Sequence, residues 1–185
     1  MITLIESKLA GCYEIQPQIF KDNRGMFIKT FHEDVFKQFA LRTDFVEEYY
    51  SVSKKNVLRG LHFQTPPAAH TKLVYCTQGM VLDAVVDLRN GSSTYGEFML
   101  FQLSAGKANM VYIPEGFAHG FFVISDSATM MYKVTSVYSP EHDQGIRWDS
   151  VGIDWGNRQP IMSNRDQQFP QLQQFLSPFQ FEATK

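Results

Sequence analysis

One histidine interrupts an otherwise apolar run in the first half of the chain. The stretch "NVLRGLHFQ" places His62 three residues after Arg59 and two before Gln64. Ideal strand alternation puts His62 on the face of Gly60 and Gln64, and a glycine in mid-strand indicates close approach of a ligand or another backbone. An imidazole titrates near neutral pH, so His62 is a candidate for proton transfer. From the strand alone, a hydrogen-bonded core histidine is the more common explanation.

A second histidine and four other titratable side chains extend the candidate set. His119 lies between two small residues in "IPEGFAHGF", which predicts an accessible ring. General acid–base chemistry also needs groups such as Lys72, Asp83, Tyr132 and Asp166. Each of these has an ordinary structural interpretation: a solvated lysine at a strand end, an outward-facing aspartate, a core tyrosine and a helix N-cap, respectively.

The segment from Pro114 to His119 reads P-x-G-x-x-H and resembles the second half of the cupin signature. Metal-binding cupins usually add H-x-H and a glutamate from an earlier strand, whereas this chain has H-F-Q at His62. Two imidazoles without a third protein ligand make a poor metal site. His70 is the remaining candidate ligand, but it lies in the proline-rich loop "TPPAAHT". We therefore expect no metal and no other cofactor.

The elements that must position these side chains are short strands. From about residue 13 to 146, apolar or alternating runs are bounded by Gly, Pro, Asn and Asp, a pattern typical of a sandwich or barrel. One early helix is predicted over His32 to Phe39, with Val35, Phe36 and Phe39 on one face. The tail from Asp166 is predicted to be partly helical and interrupted at a proline.

The fold prediction is all-β, a cupin-type antiparallel jelly roll with short flanking helices. We expect a single domain over 1–185, with the core at about 13–150 and a C-terminal extension at about 151–185.

Composition narrows the partners. A formal net charge of -2 gives no electrostatic reason to expect nucleic acid or an anionic membrane. No apolar run approaches the roughly 20 residues that span a bilayer, and "MITLIESKLA" lacks the pattern of a signal peptide. Cys12 and Cys76 lie far apart, so neither a disulfide scaffold nor a zinc motif is indicated. We expect a cytoplasmic protein.

Several longer motifs together resemble one enzyme family. "FKDNRGMF", "KNVLRGLHFQ", "IPEGFAHGF", "YKVTSVYSPEHDQGIRWD" and "IMSNRD" are similar to those of the dTDP-4-dehydrorhamnose 3,5-epimerases, from about Tyr13 to Asp166. The resemblance implies a metal-free cupin jelly roll that forms a homodimer. It also implies inversion at carbons next to the C4 ketone of a nucleotide-linked 4-keto-6-deoxyhexose.

The resemblance assigns catalytic roles to four residues. His62 is the implied base, oriented by Asp166, and Tyr132 is the implied acid on the opposite face of the sugar. Lys72 is expected near the C4 oxygen, where a fixed cation stabilises the enolate.

Substrate-binding roles follow from the same resemblance. Arg24 and Arg59 match residues at the diphosphate, Tyr138 an aromatic stacked on the base, and His119, with Asp83, a sugar-binding residue. Gln64 is included because it shares the predicted face of His62. Ideal alternation would place Arg59 on the other face, so we predict a twist or bulge at Gly60, or that Arg59 acts at an edge or across the dimer.

The chain departs from the family at the nucleotide end. Lys29 stands where glutamate is common, and Glu47-Glu48-Tyr49 replaces a Gln-Asp-Asn run. Asp143 and Arg165 replace a usual glutamate and lysine. We therefore add Lys29, Glu47, Tyr49, Asp143 and Arg165 to the candidate substrate-binding residues, and CDP-, UDP- or GDP-linked sugars remain alternatives to dTDP-linked ones. Inversion at C3, C5 or both is also open.

Three other functions share the scaffold. A 3,4-ketoisomerase is disfavoured by the continuous "RGLHFQ" and by Tyr132 together with Asp166. A metal-dependent cupin, such as a dioxygenase or phosphosugar isomerase, would carry stoichiometric iron, zinc or manganese. A non-catalytic sugar-binding module would be expected to lose the base or the acid, and this chain keeps both.

Overall fold

A computed structural model describes residues 2–182. Within this range the chain forms thirteen strands, two short α-helices and one 3-10 helix: β1 (Ile2–Glu6), β2 (Tyr13–Pro17), β3 (Ile19–Asp22), β4 (Gly25–Ile28), α1 (Glu33–Gln38), β5 (Glu47–Lys54), β6 (Leu58–Gln64), β7 (Lys72–Gln78), β8 (Met80–Asp87), β9 (Phe98–Ser104), β10 (Met110–Ile113), β11 (Phe117–Val123), β12 (Ser127–Val134), β13 (Asp143–Gly145), α2 (Asn164–Gln167) and the 3-10 helix (Leu172–Gln174).

Two antiparallel sheets pack face to face. One has six strands in the order β1-β2-β10-β7-β12-β5, and the other has five in the order β13-β6-β11-β8-β9, with β3-β4 as a separate hairpin. The strands alternate their side chains between the two faces of each sheet. The inner faces therefore form one apolar core, built from residues such as Val74, Ile113, Met130, Val85, Phe101 and Phe121. The predicted all-β jelly roll is confirmed.

The outer face of the six-stranded sheet is covered by α1 and its flanks. Phe36 is buried and meets Phe31 and Phe45 edge-on, and this cluster packs on Leu73 of β7. The helix prediction is confirmed to within one residue at each end. Its predicted apolar face is only partly correct, because the Phe39 side chain lies just past the helix and is 42% exposed.

The C-terminal extension covers the outer face of the five-stranded sheet. Ile153, Trp155 and Phe179 pack in the same cluster as Leu58 and Leu61 of β6. Burial of each large apolar side chain of this kind stabilises the folded state by about 1.5–3 kcal/mol. These contacts therefore keep the extension packed against the sheet.

The short helix α2 interrupts this extension at the level of β6. Ser163 is its N-cap and accepts a hydrogen bond from the backbone N–H of Asp166 at 3.1 Å. The interpretation of Asp166 as the cap is therefore wrong, and its carboxylate is free to point toward β6.

None of the helices among the described residues combines the length and apolarity that a bilayer crossing requires.

Candidate active site

A cavity of about 340 Å³ is lined by residues of both sheets. Eleven of the predicted site residues line it: Glu47, Tyr49, Arg59, His62, Gln64, Lys72, His119, Tyr132, Tyr138, Asp143 and Arg165. Two more, Asp83 and Asp166, contact the lining histidines from behind. The structure therefore gathers thirteen of the fifteen predicted residues around one space.

The backbone at Gly60 makes this gathering possible. Gly60 has φ +135°, and the register between β6 and β11 shifts between His119 and Phe121. As a result Arg59 and His62, three residues apart, both line the cavity, while Leu58 and Leu61 pack in the outer cluster. The predicted irregularity at Gly60 is confirmed, and Arg59 is held by a hydrogen bond from its Nε to Ser53 Oγ at 2.9 Å.

Glycine is required at this position for two physical reasons. A positive φ of this size is rare for residues with a side chain. An added Cβ would also lie 2.5 Å from the Cα of Gly120 on the neighbouring strand. The mid-strand glycine thus reflects close approach of another backbone, which was one of the two sequence interpretations.

His62 and Asp166 form a contact pair. His62 Nε2 lies 2.9 Å from Asp166 Oδ2, and the same oxygen accepts a hydrogen bond from Gly60 N–H at 3.1 Å. Nε2 is buried beside this carboxylate, although it is not aligned for a hydrogen bond, and the side chain is 27% exposed. We therefore assign Nδ1 as the ring nitrogen available to the cavity. The pair is arranged as a base with its orienting carboxylate.

The protonation states suit that arrangement. Burial opposes ionisation of Asp166, but contacts with His62, Gly60 N–H and Ser163 lower its pKa to about 2. Burial lowers the pKa of His62, and Asp166 opposes the shift. At neutral pH the pair is therefore an unprotonated imidazole beside an ionised carboxylate, which is the state a general base needs.

A second histidine–carboxylate pair lies deeper. His119 Nε2 contacts Asp83 Oδ2 at 2.7 Å, with the His119 side chain 4% exposed and Asp83 fully buried. The prediction of an accessible His119 ring is wrong, because the surrounding strands bury the ring except where it lines the cavity. Burial raises the pKa of Asp83, with His119 opposing the shift.

Lys72 is a buried cation at the start of β7. Its Nζ donates to the backbone carbonyl of His62 at 3.2 Å. Burial lowers its pKa to about 8, while Asp143 and Asp83 oppose the shift. The lysine is therefore not a solvated strand end, and it presents a poorly hydrated positive charge to the cavity.

Tyr132 projects from β12 into the same space. It is 7% exposed, its hydroxyl lies 3.2 Å from Ser51 Oγ, and its ring meets His119 edge-on at 6.3 Å. Burial raises the pKa of Tyr132 well above its ordinary value. The phenol consequently stays protonated at neutral pH and can act only as an acid.

The loop that carries Tyr138, which lines the cavity, is held in place by hydrogen bonds to Gln64 and Glu47. Gln64 Oε1 accepts from Ser139 N–H at 2.6 Å and its Nε2 donates to Ala68 O at 2.8 Å, while Glu47 Oε2 accepts from Tyr138 N–H at 2.6 Å. Gln64 is only 4% exposed. Its amide therefore organises the loop that carries Tyr138.

Two predicted binding residues lie elsewhere in the single chain. Arg24 is at the tip of the β3–β4 hairpin, paired with Asp22. Lys29 lines a separate apolar cavity of about 300 Å³ between that hairpin and α1.

Five lining residues were not among the predicted site residues: the apolar Phe63, Phe121 and Val134, and the polar Ser51 and His70. Ser51 could have been found by alternation along β5, since it shares a face with Glu47 and Tyr49. His70 was considered only as a metal ligand; its Nδ1 lies 3.2 Å from Gln64 Nε2, and burial lowers its pKa to about 3. Within residues 2–182, no three His, Cys, Asp or Glu side chains are grouped as a metal site would require.

Comparison with known proteins decides the family. Residues 6–174 match the family model described as dTDP-4-dehydrorhamnose 3,5-epimerase. The chain belongs to the dTDP-4-dehydrorhamnose 3,5-epimerase family. The enzyme of that name from Salmonella typhimurium is 40% identical over 180 residues, covering 95% of this chain and 98% of its own.

Solved structures of this epimerase family superpose closely. The Legionella pneumophila enzyme, in complex with dTDP-4-keto-L-rhamnose, is 34% identical with a TM-score of 0.94, covering 99% of this chain and 100% of its own. The Bacillus anthracis enzyme, with TDP and PPi bound, is 34% identical with a TM-score of 0.90, covering 92% of this chain and 99% of its own. This epimerase family acts on a sugar nucleotide, and its cupin jelly roll is the fold described above.

Proposed function

We propose that the chain epimerises a dTDP-linked 4-keto-6-deoxyhexose at the carbons beside the ketone, without a cofactor. The observation that carries the proposal is that two groups line one cavity from different sheets: the His62–Asp166 pair from β6 of the five-stranded sheet and the Tyr132 phenol from β12 of the six-stranded sheet. A base and an acid on opposite faces of a planar intermediate are what inversion requires.

The proposed reaction has two proton transfers. His62 Nδ1 takes the proton from the carbon next to the ketone, and the C–H electron pair moves into an enolate whose charge is on the C4 oxygen. The Lys72 ammonium stabilises that oxygen, and Asp166 stabilises the imidazolium. Tyr132 then protonates the carbon from the other face. The His62 imidazolium releases its proton to solvent and the Tyr132 phenolate takes one from solvent, which restores both groups.

The nucleotide is proposed from the relatives. The Legionella enzyme was solved with a dTDP sugar and the Bacillus enzyme with TDP, which supports thymidine for this chain. Lys29, Glu47 and Tyr49 differ from the residues that are common in the family, so nucleotides with other nucleobases are tested as well. Thermal-shift titration with dTDP, CDP, UDP and GDP separates these possibilities, and a clear preference for dTDP would remove the alternatives.

We also propose a homodimer. The β3–β4 hairpin exposes Phe20, Met26 and Phe27 by 51–62%, with Arg24 beside them. An apolar hairpin of this kind is expected to be covered by a partner, and a twofold dimer would carry each Arg24 to the other subunit. The diphosphate role of Arg24 is consistent with its position only in such an assembly.

We place the reaction in the cytoplasm. Cys12 and Cys76 are both free and buried, which fits a reducing compartment.

The direct test is turnover in D2O with a panel of nucleotide-linked 4-keto-6-deoxy sugars. We expect deuterium at C3, C5 or both, read by NMR, with loss of exchange in His62→Asn. Full exchange in that variant would overturn the proposed base.

A further inference from the structure

The proposed acid Tyr132 has an aromatic neighbour whose position calls for explanation. Tyr49 on β5 lies directly opposite Tyr132 on β12 in the antiparallel register. The two ring centroids are 4.7 Å apart and the ring planes differ by 16°, so the rings are stacked. Directly opposed cross-strand aromatic pairs stabilise one another beyond the area that they bury.

This stack completes a three-sided enclosure of the phenol. Tyr49 covers one face of the Tyr132 ring, His119 meets it edge-on at 6.3 Å, and Ser51 Oγ lies 3.2 Å from the hydroxyl. His119 is in turn held by buried Asp83. The plane of the ring and the position of the hydroxyl oxygen are thus set by groups from β5 and β11, with Asp83 of β8 behind His119.

Tyr49 is not an ordinary core residue. It lies on β5, the edge strand of the six-stranded sheet, it is 41% exposed, and it lines the cavity. Desolvation of its hydroxyl, with Glu47 and Asp143 adding to the effect, raises the pKa of Tyr49 to about 12. The hydroxyl therefore stays neutral at working pH, and Tyr49 is not a second base.

We propose that Tyr49 is a positioning residue for Tyr132: its ring holds the phenol against the face of the enolate opposite His62 and so favours inversion over simple return of the proton. The inference rests on the proposed function. When the enolate forms, the carbon can take a proton from Tyr132, which inverts it, or from the His62 imidazolium, which restores it. Tyr49 acts on the first of these transfers only.

The two transfers can be measured separately in D2O. Return from His62 introduces deuterium without inversion, because the imidazolium exchanges with solvent, whereas delivery from Tyr132 introduces deuterium with inversion. We expect Tyr49→Leu to lower the ratio of inversion to total exchange by about 10- to 100-fold, since small misplacements of a catalytic group cost this much. Total exchange should stay within about threefold, because His62, Asp166 and Lys72 are untouched.

Matched variants identify the cause. Tyr49→Phe keeps the ring and should retain the inversion-to-exchange ratio. Tyr50→Leu changes the neighbouring side chain, which is 66% exposed and does not line the cavity, and should leave the ratio at the wild-type value. In a Tyr132→Phe background, adding Tyr49→Leu should have no further effect, because the group it positions is already gone.

The opposite outcomes overturn the proposal. Equal losses of exchange and inversion in a folded Tyr49→Leu protein would mean that Tyr49 serves binding or the base. A Tyr49→Phe protein as impaired as Tyr49→Leu would assign the effect to the hydroxyl instead of the ring. Failure of the proposed function itself has a different signature: wild-type protein would then give no exchange with any 4-keto sugar of the panel.

Discussion

Lys72 combines burial with a pKa close to working pH. Its ammonium is removed from water, faces the cavity and touches the backbone of the strand that carries His62. A lysine whose folded pKa is about 8 is charged below that pH and neutral above it. In the proposed mechanism, the positive charge that stabilises the enolate is therefore lost as the pH rises through about 8.

We expect kcat/KM to fall as pH rises through about 8, since the stabilising cation is lost there. On the acid side, kcat/KM should fall only below pH 6.5, because burial lowers the pKa of His62 and the imidazole stays neutral at neutral pH. A rate profile from pH 5 to 10 checks both limbs. Lys72→Arg should abolish the alkaline limb, since guanidinium does not titrate there. An unchanged limb in that variant would assign it to another group.

A second prediction for a single residue concerns the carboxylate of Asp166. Its carboxylate is ionised at all working pH values and lies 2.9 Å from His62 Nε2. Asp166→Asn removes the charge that stabilises the imidazolium, and we expect roughly 10²- to 10⁴-fold slower deuterium exchange. Exchange and inversion should fall together, unlike in Tyr49→Leu. The control Asp149→Asn breaks only the partly exposed pair with Arg147 and should exchange at the wild-type rate.

At the scale of elements, the irregular strand β6 determines the site. One positive φ at Gly60 turns Arg59 and His62 toward the cavity and supplies the N–H that holds Asp166. The reciprocal contact is equally tight: a Cβ on Gly120 would lie 2.7 Å from Arg59 O. Two glycines on adjacent strands thus allow the backbones to approach closely at the point where Arg59 and His62 both turn toward the cavity.

We expect Gly60→Ala to destabilise the fold by more than about 2 kcal/mol, because the added methyl meets backbone and the φ is unfavourable. That change corresponds to a fall in Tm of roughly 5 °C or more. Thermal unfolding measures it. Gly106→Ala is the control, since its Cβ would meet open space. Equal melting temperatures for the two variants would contradict the close approach.

At the scale of the whole molecule, the proposed dimer decides whether each site is complete. Arg24 and Lys29 were predicted as binding residues but do not line the cavity of their own chain. The exposed hairpin that carries Arg24 is the part of the fold best placed to reach a neighbour.

Subunit complementation tests this directly. Arg24→Ala and His62→Asn should each be impaired, the first by about tenfold through KM. Co-expressed with different tags and purified as mixed dimers, the two should recover about half of wild-type activity, because one of the two sites is complete. No recovery in verified mixed dimers would mean that Arg24 does not serve the partner's site.

Much of the architecture was predictable because its signals are local. Strand-length runs, the turn before His119 and the helix around Phe36 depend on neighbouring residues, and all three occur as expected. The motif around His62 also identified a residue that lines the cavity, and its role as the base is the proposal made above.

Cross-strand geometry was less accessible. Alternation assumes a regular strand and on that assumption directs Arg59 away from the cavity, whereas the backbone at Gly60 turns it inward. The burial of His119 and the stack of Tyr49 on Tyr132 depend on register between strands distant in sequence. Register is set by the packing of whole sheets, which a single strand's sequence does not contain.

The hydrogen bond from Gly60 to Asp166 joins positions 106 residues apart. On a ribosome, β6 emerges long before the segment that carries α2, and at ordinary synthesis rates the delay is roughly 5–20 seconds. During that interval the nascent chain already has its histidine but not the carboxylate that orients it. Each newly made molecule therefore exists for a time with His62 but without Asp166, and the proposed base is complete only after α2 docks against β6.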